Sequence, residues 1–64
     1  MKPEEKILSV LRQNDGGIDT LELWAKIIRS FPRLTVRNFM SLLQLMSDEK
    51  KIDYDDGEYV RIRK

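Results

Sequence analysis

The chain has 64 residues, 12 Lys and Arg against 11 Asp and Glu for a formal net charge of +1, and neither Cys nor His. Such a length holds one domain around one small core, and the missing Cys and His exclude disulfides, thiolate metal sites and imidazole chemistry. No apolar run approaches the roughly 20 residues that cross a bilayer and no signal-peptide pattern follows Met1, so the expectation is a soluble cytoplasmic domain with no membrane partner.

The first element is an amphipathic helix starting at Pro3, whose absent N–H has no partner at a first helical position. Glu4 and Glu5 then lie in the first turn, where the helix dipole favours negative charge. Ile7, Leu8, Val10 and Leu11 fall within one arc opposite Lys6, Ser9, Arg12 and Gln13. Asn14-Asp15-Gly16-Gly17 ends it, with glycine free to take a left-handed cap. Ile18 reads as a very short extended segment.

Asp19 caps a second helix, with Glu22 three residues on and Ile18 and Leu23 at the spacing of a hydrophobic staple. It runs to about Ser30 and stops before Pro32. Its apolar arc is broad: Leu21, Leu23, Trp24, Ala25, Ile27, Ile28 and Phe31 span about 200°. Trp24 is expected in the core. Thr35 caps a third helix, with Leu34 and Phe39 again spaced as a staple. Val36, Phe39, Met40, Leu42, Leu43 and Met46 fill one arc of about 160°, while Arg37, Asn38, Ser41, Gln44 and Leu45 lie opposite. Across both helices, residues 23–47 hold Lys26, Arg29, Arg33 and Arg37 and not one acid. Charge is sorted along this chain.

The last element is a hairpin around Asp55-Asp56-Gly57. A three-residue loop with Gly57 in the left-handed position pairs Ile52 with Val60 and Tyr54 with Glu58, which puts Ile52, Val60 and Ile62 on one face. Tyr59, Arg61 and Arg63 then form a basic and aromatic strip on the other. Near the tip stand Asp53, Asp55, Asp56 and Glu58, which a phosphate backbone bearing a charge every ~1.7 Å would repel. Three readings account for these acids: the tip points away from nucleic acid, it faces a basic protein, or the acids keep a short edge soluble. The last is the plainest.

Helix, tight turn, helix and ribbon, with the phrase LTVRNFMSLLQLM from Leu34 to Met46 in the place of a recognition helix, resembles the winged helix-turn-helix superfamily over residues 3–63. Lys50-Lys51-Ile52 stands where members often carry a glycine-bearing turn into the wing, and here that glycine is missing. The resemblance implies an α+β fold over residues 1–64, with three helices, a two-stranded wing and a very short first strand at Ile18. It further implies a transcription regulator or related DNA-binding protein, frequently a homodimer, with the third helix (about 35–49) in the major groove.

The residue types on the outer face of the third helix suit a solvated helix face equally well. Their place after a helix and a tight turn, with no acid in residues 23–47, is what favours nucleic acid. Arg37, Asn38, Ser41 and Gln44 are types that pair with bases and phosphate, and Lys26, Arg29, Arg33, Thr35, Tyr59, Arg61 and Arg63 complete the expected DNA-binding set. The alternative is a protein-interaction module using the acidic wing, the broad second helix and Leu45. Enzymatic function is not expected: the hairpin carboxylates have no cavity to shift their pKa values, and Gly16-Gly17 opens no phosphate loop. The acids lack EF-hand spacing, and no cofactor or metal is implied.

Overall fold

Capping chemistry sets the ends of three helices in a computed structural model that describes residues 2–55 and 58–63. Helix α1 (Pro3–Gln13) opens with proline at its first position, and the Glu5 carboxylate accepts the Lys2 backbone N–H at 3.4 Å. Helix α2 (Thr20–Ser30) starts where the Asp19 carboxylate accepts the Leu21 N–H at 2.9 Å. Helix α3 (Val36–Asp48) starts where the Thr35 hydroxyl accepts the Asn38 N–H at 3.1 Å. All three caps supply acceptors for backbone donors that have no partner within the helix.

The strands are β1 (Ile18–Asp19), β2 (Ile52–Asp55) and β3 (Tyr59–Ile62), in one antiparallel sheet of order β1-β3-β2. β1 is thus a full partner of β3, pairing Ile18 with Val60 and Asp19 with Tyr59. The result is three helices with a three-stranded antiparallel sheet, a layout compatible with a winged helix. Ile7 and Leu11 of α1, Leu23 and Ile27 of α2, and Phe39, Leu43 and Met46 of α3 are fully buried against Ile52 and Val60 of the sheet. Trp24 is half-buried and tilts against Phe39 with ring centroids 5.1 Å apart.

Two expectations require correction. The hairpin pairs Ile52 with Ile62 and Tyr54 with Val60, two residues away from the expected register. Ile52, Val60 and Ile62 still share a face, because a shift by two preserves the alternation. Val60 already serves β1 on its other side, and the observed register sets the half-buried Tyr54 across from it. The expected turn geometry at Asp56 and Gly57 lies outside the described residues. The apolar arcs of α2 and α3 are also narrower than their composition: Leu21 is 77% exposed and Val36 56%, and Ala25 and Met40 are exposed as well. A core this small touches each helix along a stripe, and side chains at the margins of a wide arc remain in water.

The passage from α3 into β2 supplies the turn for which no glycine is present. Lys50 takes a positive φ of 62°. The Lys51 N–H donates to the Met46 carbonyl and the Lys50 N–H to the Ser47 carbonyl, which is the paired bonding of a Schellman cap. Lys51 then reaches Glu4 in the first turn of α1, Nζ to Oε1 2.6 Å, tying the two ends of the helical layer together.

Candidate nucleic-acid interface

Helix α3 differs from the other two at its N-terminus. α1 and α2 place acids in their first turns, Glu4 and Glu5 in one and Glu22 in the other, whereas α3 has none there. Arg33 lies just before its cap and Arg37 just after, both exposed. The positive end of the helix dipole and two guanidinium groups therefore coincide. Arg37, Ser41 and Gln44 follow one another along the outward face of α3, all exposed. Gln44 donates from Nε2 to Asp48 Oδ1 at 3.1 Å, so its amide is partly engaged at the far, acidic end of the helix.

Asn38 sits toward a different edge. With Pro3, Ser30, Phe31, Pro32, Arg33 and Leu34 it lines a shallow depression of about 480 Å3 beside the turn between α2 and α3. The outward face of α3 thus has Arg37 and Ser41 along its middle, with Asn38 and Arg33 along the side nearer the first turn of α1.

The acid-free block does not gather on one surface. Lys26 and Arg29 project from the flank of α2 that faces α1, where they line a depression of about 320 Å3 with Lys6, Val10, Gln13 and Ser30. Lys6 is a third cation there, one that helical periodicity alone places on an ordinary solvated face. Only the packing of α1 on α2 reveals it, because no linear spacing links residue 6 to residues 26 and 29. Among the described residues Lys26, Arg29, Arg33 and Arg37 form no ion pair within 4.0 Å; those present join Lys51, Arg61 and Arg63 to acids.

On the sheet, Tyr59, Arg61 and Arg63 do share the exposed face, but the two arginines are engaged. Arg61 approaches Asp53 at 3.6 Å and Arg63 approaches it at 3.9 Å. Asp53 pairs with Arg61 across the strands, so part of the wing's acidity and part of its basicity cancel in place. The Asp55 side chain and Asp56 lie outside the described residues, and Glu58 is exposed. Tyr59 has a packing partner: a Cβ added at Gly17 would come within 2.5 Å of its ring, and Gly17 has φ 102°. The open side of Gly17 is thus where the Tyr59 ring rests.

Exposed apolar side chains complete the surface. Val36 and Met40 lie one turn apart at the N-terminal half of α3, and the hydroxyl of Tyr54 on β2 donates to Met40 Sδ at 3.4 Å. Leu45 is 53% exposed on the opposite margin of the same helix. On α2, Leu21 and Ala25 are exposed one turn apart, whereas the apolar residues of α1 are buried or half-buried. α1 therefore offers no exposed apolar surface. No described helix is long and apolar enough to cross a membrane. No protein-family model, curated protein or solved structure matches the chain.

Proposed function

We propose that the chain is a winged helix-turn-helix protein that binds double-stranded DNA as a transcription regulator, with the N-terminal half of α3 in the major groove. The observation that carries this reading is the N-terminal end of α3, where an acid-free first turn holds Arg37 and follows Arg33, both exposed and without ion pairs among the described residues. A helix in isolation gains about 0.3–1 kcal/mol from an acid at that position. The other two helices take that gain and α3 does not, which suits a helix end that receives a phosphate or a base edge from outside.

In this reading Arg37 and Ser41 face the groove, and Arg33, Thr35 and Asn38 serve the near backbone or the adjoining base. Lys6, Lys26 and Arg29 offer phosphate contacts on the flank of α2. The wing contributes little, since Asp53 draws both Arg61 and Arg63. A second reading, docking of a protein, is favoured by Leu21, which is 77% exposed with Ala25 one turn away. A homodimer would use that face of α2, because α1 has no apolar face to spare.

The test selects a preferred duplex from a random pool and compares variants on it. Arg37→Ala and Asn38→Ala each cost roughly 1–3 kcal/mol on the preferred duplex and flatten its preference over random sequence. Arg29→Ala weakens binding to all sequences alike. Equal effects of all three on both duplexes would mean that α3 does not read sequence, and no binding at low salt would leave the protein-docking reading in its place.

A further inference from the structure

We infer that Val36 and Met40 form an apolar edge of α3 that reads thymine methyl groups, with Tyr54 as the positioning residue for Met40. The inference rests on the DNA-binding reading and adds to it the class of sequence recognised, a site containing A·T pairs. Val36 is 56% exposed and Met40 37%, although both belong to the apolar arc that faces the core. They stand four positions apart in the sequence, which places them about 6 Å apart along the helix axis, close to two base-pair steps of about 3.4 Å. In the major groove the thymine C5-methyl is the apolar feature that marks a base pair, and small apolar side chains are what meet it.

Two observations tie this edge to the groove rather than to a protein partner. The edge runs beside Arg37 and Ser41, which extend along the same half of the helix and are also exposed. Two side chains also make a small patch, far below the roughly 800 Å2 per partner of a stable protein interface. Methionine is the most flexible of the apolar residues, yet this one is held: the Tyr54 hydroxyl, carried on β2, donates to its sulfur at 3.4 Å. The sheet thereby fixes the end of a side chain on the reading face of α3. Leu45 is left out of the reader because it precedes Asp48 and Glu49, which repel phosphate.

The experiment takes duplexes of about 20 base pairs selected from a random pool by the full chain, and remakes the preferred one with deoxyuridine in place of thymidine. Only the methyl groups change. We expect thymine to be enriched in the selected core and binding to weaken about fourfold for each contacted methyl removed. The double variant Val36→Ser with Met40→Gln, its folding checked by circular dichroism, no longer prefers the thymine duplex over the uracil duplex. Tyr54→Phe lowers the thymine-to-uracil ratio while leaving affinity for the uracil duplex unchanged, which a purely structural role for the hydroxyl would not produce. Equal binding of the two duplexes by the parent overturns the inference and leaves the DNA reading standing. A thymine preference that survives in the double variant also overturns it, since other groups would then read the methyls. No binding to the pool at low salt removes both.

Discussion

Lys50 shows how a single residue carries a geometry its side chain does not favour. At φ 62° it occupies the left-handed position that closes α3, where a side chain costs about 1–2 kcal/mol and glycine costs little. Lys50→Gly is therefore expected to stabilise the domain by up to about 1 kcal/mol after the entropy of the unfolded glycine is deducted, read as a rise in urea midpoint with unchanged slope. Gly17 is the reverse case. Its φ of 102° and the Tyr59 ring 2.5 Å from an added Cβ both oppose Gly17→Ala, which should destabilise by about 2 kcal/mol or more in the same titration. Thr20 offers a third: its hydroxyl is buried with no hydrogen-bond partner among the described residues, so Thr20→Val should gain about 1 kcal/mol. Of these, the glycine-bearing stop after α1 is legible in the sequence. The left-handed lysine and the orphaned hydroxyl are not, since both depend on where the chain goes next.

At the scale of elements, helix boundaries were legible because caps and proline act locally. Asp19, Thr35 and Pro32 mark the ends of α2 and α3 in the sequence as they do in the structure. Thr35→Ala should accordingly cost about 1 kcal/mol of stability, measured by denaturant titration. The hairpin register was not legible, because it answers to a strand 40 residues upstream: β3 is shared between β1 and β2, and only the parity of its side chains was readable beforehand. The junction of α1 with the α3–β2 turn is equally non-local. Lys51 is held above its ordinary value of 10.5 first by its hydrogen bond to Glu4, then by the charges of Glu4 and Glu49. A lysine with a raised folded pKa contributes stability that is full below its unfolded value and fades as pH rises through the folded one. Lys51→Gln should flatten the alkaline end of a melting-temperature profile, above pH 10.5.

Over the whole molecule, the sequence revealed that positive charge is concentrated between residues 23 and 47 but not how that charge is spread in space. Folding divides it between the N-terminal end of α3, with Arg33 and Arg37, and the flank of α2, where Lys26 and Arg29 meet Lys6. It also cancels charge that a linear reading would count, by setting Asp53 against Arg61 and Arg63. The cations gathered on these two surfaces are the four of the acid-free block, with Lys6 beside them. A salt titration of duplex binding tests this account most directly, because the slope counts the phosphates neutralised. With about four contacts, log K should fall against log salt with a slope of roughly −3 to −4, from an affinity no tighter than about micromolar on random sequence. A slope near zero, or no binding to duplex at low salt, would contradict it.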